Sequence, residues 1–157
     1  MNISAIFMDV DGVLTDGKIW FMEDGKEFFK PFSAQDSVGI FLARQRGIEI
    51  IWLSCRKSPI TQKRAESLGV HHVYFTPYKK DKMEAICQSL GIHLEEVCYI
   101  GDDLSDIPAM EASGYPVAVS NAVREVKDVA KYVTEKHGGD AAVREAIDHI
   151  LSMSSMA

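Results

Sequence analysis

The chain alternates between short apolar runs and longer segments in which apolar residues recur at helical spacing. A continuous apolar run predicts a strand that is buried on both faces, as in a parallel sheet. The predicted strands cover residues 3–8, 48–53, 73–75, 97–100 and 116–119. Apolar residues three and four positions apart predict helices between the strands. These helices cover residues 37–46, 59–68, 80–90, 105–112 and 141–151.

Strand and helix therefore alternate along most of the chain, which is typical of a doubly wound α/β fold with a parallel sheet. Two aromatic-rich stretches, residues 18–22 and 26–32, depart from this order and are joined by Glu23-Asp24-Gly25, a hairpin-turn sequence. They predict a β-hairpin flap after the first strand. The length of 157 residues fits one domain. We expect this domain to span residues 1–151, with a frayed tail at residues 152–157.

The composition is that of an ordinary soluble globular protein, with 46% hydrophobic and 25% charged residues. No apolar run approaches the roughly 18 residues that a membrane-spanning helix needs. Because the chain also begins without a basic leader, we expect a cytoplasmic location and no membrane partner. The net charge of −6 argues against a nucleic-acid partner, whose phosphates require a basic surface.

Polar and charged residues stand at the carboxyl ends of the predicted strands, where ligands bind in parallel α/β sheets. They are, in chain order, Asp9, Asp11, Gly12, Ser54, Arg56, Lys82, Asp102, Asp103 and Asp106. Several carboxylates in one crevice repel one another unless a cation neutralises them, and oxygen ligands favour a hard ion. The sequence therefore predicts a magnesium site at this edge of the sheet.

The same residues supply the groups that phosphoryl transfer needs. A carboxylate attacks phosphorus, an acid two positions further on protonates the leaving oxygen, and a lysine with a hydroxyl holds the charged oxygens. An Asp-x-Asp tripeptide alone is more often a turn or a helix cap, because short motifs have many false positives. Two acid clusters, a strand-terminal serine and a lysine in this order favour catalysis.

Four motifs occur in order along the chain: Asp9-Val10-Asp11-Gly12-Val13, then Ser54, then Lys82, then Gly101-Asp102-Asp103-x-x-Asp106. They resemble the four motifs of the haloacid dehalogenase-like superfamily. The resemblance implies that Asp9 is the nucleophile and Asp11 the general acid and base, and that Ser54 and Lys82 bind the phosphoryl group. It also implies that magnesium is held by Asp9, the backbone carbonyl of Asp11 and Asp102. Asp103 and Asp106 are then expected to orient the groups around the metal.

A longer resemblance covers nearly the whole chain. It includes residues 13–17, 37–40, 101–104, 138–139 and 142–145. These segments are similar to those of 3-deoxy-D-manno-octulosonate 8-phosphate phosphatases, which lack a large cap domain and form tetramers in which the flap and a neighbouring subunit close each site. The resemblance implies a phosphorylated sugar acid as substrate, lipopolysaccharide precursor synthesis as the pathway, and a homotetramer with the flap at the subunit interface.

Three residues are candidates for substrate binding: Gly12, Arg56 and Arg64. Arg56 favours the carboxylate of an eight-carbon substrate, because related phosphatases of nine-carbon keto-deoxy acids tend to carry an acidic residue there. Arg64, on a predicted helix, offers a second cation. Two departures from the family pattern bear on substrate preference, since Cys55 replaces the usual glycine and residues 76–81 differ from the usual loop.

Two alternatives remain at this point. The first is a phosphatase of a nine-carbon keto-deoxy acid 9-phosphate, which uses the same mechanism. The second is a phosphoaspartate receiver domain, which also combines an α/β sheet with an aspartate, a hydroxyl residue and a lysine. The second acid cluster and the flap argue against a receiver, since Asp11 is placed to activate water and discharge the phosphate.

Overall fold

The computed structural model describes residues 2–155, and strands and helices alternate along them as the apolar pattern predicts. The strands are β1 (Ala5–Met8), β2 (Trp20–Phe21), β3 (Glu27–Phe29), β4 (Glu49–Ser54), β5 (His72–Phe75), β6 (Val97–Gly101), β7 (Tyr115–Ala118) and β8 (Tyr132–Val133). The helices are α1 (Ala34–Gln45), α2 (Pro59–Ser67), α3 (Lys79–Leu90), α4 (Ile107–Ala112), α5 (Arg124–Val129) and α6 (Ala142–Ser155).

The main sheet in this part of the chain has six parallel strands in the order β5-β4-β1-β6-β7-β8. All four residues of β1 are buried, because β4 and β6 flank this strand. From β1 the chain first adds β4 and β5 on one side and then returns to add β6 on the other. The end of β1 is therefore the switch point, where sheets of this kind bind ligands. The predicted doubly wound α/β fold is confirmed, and the described residues form no separate cap domain.

The structure adds two elements that the apolar pattern does not predict. In α5 the buried residue is Val126, and β8 has two residues, so neither is long enough to show a periodic pattern. The last helix is also longer than expected. Residues 152–155 belong to α6, and no glycine or proline stops the helix there. The remainder of the expected tail, residues 156–157, lies outside the described residues.

The core joins the sheet to the helices that cover it. α6 buries Val143, Ala146 and Ile147 along one face, as their spacing predicts. α1 approaches α6 closely at Gly39, where an added Cβ atom would lie 3.1 Å from the Cα of Arg144. Within residues 2–155, no helix is both long enough and apolar enough to cross a membrane.

The predicted flap is the antiparallel hairpin of β2 and β3. Trp20 pairs with Phe29 across it, and Gly25 adopts a positive φ of 77° in the turn. Phe21 and Phe28 are each 60% exposed. A two-stranded hairpin is marginally stable on its own. The contacts at its base are therefore needed to hold it against the main sheet.

Candidate active site

Asp9 is the first residue after β1, at the switch point of the sheet, and it is 7% exposed. Its backbone N–H donates to the carbonyl of Ile100 at 3.1 Å and so extends the pairing of β1 with β6. Its Oδ1 accepts a hydrogen bond of 2.7 Å from the backbone N–H of Val10. The strand and the first turn after it thus fix the position of this carboxylate.

Lys79 contacts Asp9 from the first turn of α3, and its side chain is 1% exposed. Its Nζ lies 2.9 Å from Asp9 Oδ2 and 2.7 Å from Asp106 Oδ1. Burial alone lowers the pKa of a lysine, but the two carboxylates outweigh it and hold the pKa of Lys79 above its usual value. Lys79 is therefore a charged ammonium between two buried carboxylates.

Lys82, the lysine that the sequence motif suggests, lies elsewhere, and its Nζ is 4.7 Å from the centre of the Tyr74 ring. The two lysines differ in the face of α3 that they occupy. α3 buries Met83 and Ile86, and Lys79 precedes Met83 by one turn on the same buried face. The structure thus brings Lys79, and not Lys82, to the carboxylates. The spacing from the buried apolar residues is the signal in the sequence that places Lys79 on the buried face.

Asp106 is fully buried and accepts hydrogen bonds at both oxygens. Its Oδ1 accepts from Lys79 at 2.7 Å and from the hydroxyl of Tyr99 at 2.9 Å. Its Oδ2 accepts from the backbone N–H groups of Asp102 at 3.0 Å and Asp103 at 3.4 Å. Because both oxygens are engaged, Asp106 orients Lys79 and the loop after β6.

Asp9, Asp102 and Asp106 place carboxylate oxygens within 4.8 Å of one another, close enough to share a metal ion. These three carboxylates and the ammonium of Lys79 leave a formal charge of −2 in the crevice. Oδ1 of Asp102 is buried and has no hydrogen-bond partner among the described residues. A buried, unpartnered oxygen in a negatively charged set of oxygen ligands fits a hard divalent cation. The residues present therefore fit magnesium, and Asp102 offers it an oxygen without a partner.

Burial, together with the charges of neighbouring carboxylates, raises the proton affinity of Asp9 and Asp102. Burial and then the charge of Asp106 raise the pKa of Asp9 to about 7, although Lys79 opposes the shift. Burial and then the charges of Asp9 and Asp106 raise the pKa of Asp102 to about 8. Without a cation, both groups therefore hold protons near neutral pH.

The loop after β1 turns tightly beside this crevice. The backbone N–H groups of residues 13–15 donate to the carbonyl of Val10 at 2.9–3.2 Å, and the Thr15 hydroxyl accepts from the N–H of Gly12 at 3.2 Å. Gly12 has a φ of 89°, and an added Cβ atom would lie 1.9 Å from Asp102 Oδ2. Position 12 therefore requires glycine. Gly12, a predicted substrate-binding residue, lies directly beside a candidate metal ligand.

Asn121, which the sequence analysis does not identify, ties this loop to the segment before α6. Its Nδ2 donates to the carbonyl of Gly12 at 2.9 Å, and its Oδ1 accepts from the N–H of Gly138 at 2.6 Å. An added Cβ atom at Gly138 would lie 2.0 Å from the same carbonyl. Three segments distant in sequence thus meet at Gly12. A single asparagine in a loop carries no periodic signal that predicts this contact.

Ser54 ends β4, the neighbour of β1, so it lies at the same edge of the sheet as Asp9. It is 1% exposed, and its hydroxyl accepts from the backbone N–H of Arg56 at 3.3 Å. The guanidinium of Arg56 pairs with Glu27 of the flap and lies 5.2 Å from the centre of the Phe21 ring. Arg56 thus connects the flap to the loop after β4.

Asp11 lies two residues beyond Asp9, and its side chain is 21% exposed. Its Oδ1 is 2.7 Å from Nζ of Lys30, whose side chain is 1% exposed. The sequence analysis does not identify Lys30. This lysine belongs to no motif, and its position depends on how the flap folds back onto the sheet.

The side chains of two other predicted residues make their contacts outside the carboxylate cluster. Arg64, on α2, donates to the hydroxyl of Ser37 at 2.6 Å and lies 5.5 Å from the centre of the Phe32 ring. It therefore joins α2 to α1, and the structure does not bring it to the site. Asp103 is exposed, and its Oδ1 accepts from the N–H of Leu104 at 2.7 Å, which caps the following turn.

The chain is similar to known hydrolases over the segments that form this site. The family model of haloacid dehalogenase-like hydrolases matches residues 77–147, the part of the chain that supplies Lys79 and Asp102. The fold and the carboxylate crevice thus define a phosphatase of the haloacid dehalogenase-like class. Similarity over almost the whole chain narrows the class. The chain belongs to the 3-deoxy-D-manno-octulosonate 8-phosphate phosphatase family.

Three relatives carry this assignment. The 3-deoxy-D-manno-octulosonate 8-phosphate phosphatase of Haemophilus influenzae is 38% identical over 154 residues, which cover 96% of this chain and 83% of the relative. The Moraxella catarrhalis phosphatase, in a crystal structure with magnesium, phosphate and KDO, has a TM-score of 0.92 and 36% identity, covering 96% of this chain and 86% of that one. The cobalt-bound Haemophilus influenzae structure has a TM-score of 0.94 and 36% identity, and the match covers 98% of this chain and 90% of that one. The family assignment replaces the receiver alternative.

Replacement of Lys79 tests which lysine of α3 acts in the reaction. We expect Lys79→Met to lower kcat/KM for a phosphomonoester by at least ~10²-fold, because charge stabilisation beside the reacting group typically contributes that much. The matched control is Lys82→Met, on the same helix, which we expect to change kcat/KM by less than ~3-fold. Phosphate release and melting temperature are measured for both. Equal losses of kcat/KM in Lys79→Met and Lys82→Met would contradict a role for Lys79 in place of Lys82.

The pKa values of Asp9 and Asp102 predict how magnesium affects stability. Both lie well above the usual value of 3.8, so the folded, metal-free protein retains protons that the unfolded chain releases. Stability therefore falls as the pH rises from about 4 through 7 and 8. Magnesium binds the ionised carboxylates and opposes this loss. We expect magnesium to raise the melting temperature more at pH 8 than at pH 6, and Asp102→Asn to abolish the difference. The same magnesium effect at both pH values would refute this assignment.

Proposed function

We propose that this protein hydrolyses 3-deoxy-D-manno-octulosonate 8-phosphate to the free sugar acid and phosphate, with magnesium, through a phosphoaspartate on Asp9. The observation that carries the proposal is the 2.9 Å contact of Asp9 with Lys79 in a crevice whose charge suits magnesium. The substrate is supported by the relatives, since the Moraxella catarrhalis phosphatase was solved with magnesium, phosphate and KDO.

The reaction has two steps. In the first, a carboxylate oxygen of Asp9 forms a bond to phosphorus, the bond from phosphorus to the sugar oxygen breaks, and Asp11 gives a proton to that oxygen. In the second, water attacks the phosphorus, Asp11 takes a proton from the water, and the carboxylate of Asp9 is released with inorganic phosphate. Lys79 and the hydroxyl of Ser54 hold the phosphoryl oxygens during both steps.

The metal-binding residues are proposed to be Asp9, Asp102 and the backbone carbonyl of Asp11. Magnesium, when bound, offsets the charge of the phosphoryl oxygens. Asp106 is not proposed as a ligand, because it is fully buried and its two oxygens already accept hydrogen bonds from Lys79, Tyr99 and two backbone N–H groups after β6. Lys79 contacts two carboxylates, which leaves one of its three N–H donors for a phosphoryl oxygen.

Arg56 is the proposed partner of the sugar-acid carboxylate. Its side chain is 34% exposed, and it stands on the loop after β4, beside Ser54. Its pairing with Glu27 keeps the guanidinium at the base of the flap. A carboxylate held there is separated from the phosphoryl group by the length of the sugar chain, which distinguishes eight-carbon from nine-carbon substrates.

Substrate preference is tested by magnesium-dependent phosphate release from three compounds. These are 3-deoxy-D-manno-octulosonate 8-phosphate, a nine-carbon keto-deoxy acid 9-phosphate and a simple alkyl phosphate. We expect the first to have the highest kcat/KM, and Arg56→Ala to reduce that preference by about 10-fold or more, since a charged hydrogen bond is typically worth this much. A preference for the nine-carbon ester would leave the mechanism in place and reject the substrate.

A homotetramer is the second part of the proposal. The hairpin exposes Trp20, Phe21 and Phe28, whose rings are costly to leave in water, and a neighbouring subunit would bury them. In the family resemblance, the flap and a neighbouring subunit close each site together. The cytoplasmic location stays a prediction.

Light scattering after size-exclusion chromatography tests this assembly. We expect a mass of four chains for the wild type and a smaller mass for Phe28→Ser, because the substitution removes apolar contact area from the flap. Leu90→Ser, at an exposed position 39% open to solvent at the end of α3, is the control and is expected to leave the mass unchanged. A monomeric wild type would exclude the assembly.

A further inference from the structure

Lys30 is a buried lysine that the proposed mechanism does not use. It directly follows β3, and its side chain is 1% exposed. Its Nζ lies 2.7 Å from Asp11 Oδ1 and 3.2 Å from Glu27 Oε1, and it donates to the hydroxyl of Thr61 at 3.2 Å. The ammonium of Lys30 thus lies between two carboxylates and a hydroxyl that come from three segments of the chain.

Glu27 fixes the position of Lys30. Its Oε1 contacts Arg56 as well as Lys30, and its Oε2 accepts from the hydroxyl of Ser58. Burial favours the neutral form of Glu27, but the hydrogen bonds from Ser58 and Arg56 and the charge of Lys30 outweigh it and lower the pKa. Glu27 is therefore an anion that anchors the base of the flap to the loop between β4 and α2.

We propose that Lys30 is a positioning residue, which holds the carboxylate of Asp11 in the place from which Asp11 transfers protons. The inference rests on the proposed function, in which Asp11 is the general acid and base. It gives the flap a part in the reaction itself, because Lys30 and Glu27 belong to the base of the hairpin.

The contact matters because Lys30 is the ion-pair partner that restricts the Asp11 carboxylate. The side chain of Asp11 is partly exposed, and an aspartate rotates about two side-chain bonds. A misplacement of about 1 Å in a reacting group can lower a rate by about 10²-fold. Lys30 differs from Lys79 in its partners, because it contacts Asp11 and Glu27, whereas Lys79 contacts Asp9 and Asp106.

Two esters separate the role of Asp11 as an acid from the rest of the reaction. The leaving oxygen of an alkyl phosphate needs a proton, whereas p-nitrophenolate leaves without one, and kcat/KM reports the formation of the phosphoaspartate. We expect Lys30→Met to lower kcat/KM by about 10- to 100-fold for the alkyl ester and by less than about 3-fold for the aryl ester. The matched control is Lys26→Met, which removes a lysine of the same hairpin that is 77% exposed, and it is expected to match the wild type.

A double-mutant cycle with Asp11→Asn distinguishes positioning from a structural role. If Lys30 acts through Asp11, the double variant has the same kcat/KM for the alkyl ester as Asp11→Asn alone, within about twofold. A structural defect would add its own loss to that of Asp11→Asn. Melting temperatures and oligomeric mass are measured for every variant, so that a folding defect is recognised.

The outcomes separate this inference from the proposed function. Equal losses for the two esters, or additive losses in the cycle, would overturn the positioning role of Lys30. A wild type that releases no phosphate would overturn the proposed function. An Asp11→Asn variant that loses the same factor of kcat/KM for the alkyl and the aryl ester would also overturn it. In that case crystal structures of the wild type and Lys30→Met still decide the inference, since a displaced Asp11 carboxylate supports it and an unmoved one contradicts it.

Discussion

The ammonium of Lys79 lies between Asp9 and Asp106 and offsets part of the charge that these carboxylates bring to the centre of the sheet. Burial raises the pKa of Asp9 and Lys79 opposes that rise, which favours the ionised carboxylate, since a neutral Asp9 is a poor nucleophile. The charge that remains, together with that of Asp102, is the charge that a divalent cation balances. The stability of the crevice and its chemistry therefore depend on the same few charges.

This electrostatic arrangement also constrains the backbone around it. Gly12 lies so close to Asp102 that a side chain there would collide with the carboxylate. Asn121 then holds the carbonyl of Gly12, and Gly138 leaves the space that this contact needs. The loop that carries Asp11 is thus fixed by contacts from the loop after β7 and from the segment before α6. A crevice this narrow suits a small ion with oxygen ligands.

Topology explains which parts of the site are predictable from the sequence. Asp9, Ser54 and Asp102 follow buried parallel strands, so the alternation of elements is sufficient to bring them to one edge. The choice between Lys79 and Lys82 depends instead on which face of α3 each residue occupies. The predicted helix begins one residue too late, at residue 80, and so leaves Lys79 out. The charge of Arg64 predicts a contact with the substrate, whereas in the structure its guanidinium donates to Ser37 of α1.

Lys30 and Glu27 were beyond sequence reasoning for a different reason. Their partners are set by how a hairpin packs on the sheet, and no periodic pattern encodes that orientation.

The hairpin exposes aromatic rings that a neighbouring subunit could bury, and its base contacts the candidate active site. Its strands have two and three residues, so its orientation depends on the contacts at its base, where Lys30 and Glu27 lie. Lys30 contacts Asp11, and Glu27 contacts Arg56 on the loop that follows Ser54. A neighbouring subunit that buried the exposed rings would restrict the hairpin. Because the base of the hairpin contacts Asp11, the same restriction would extend to the group that transfers the proton.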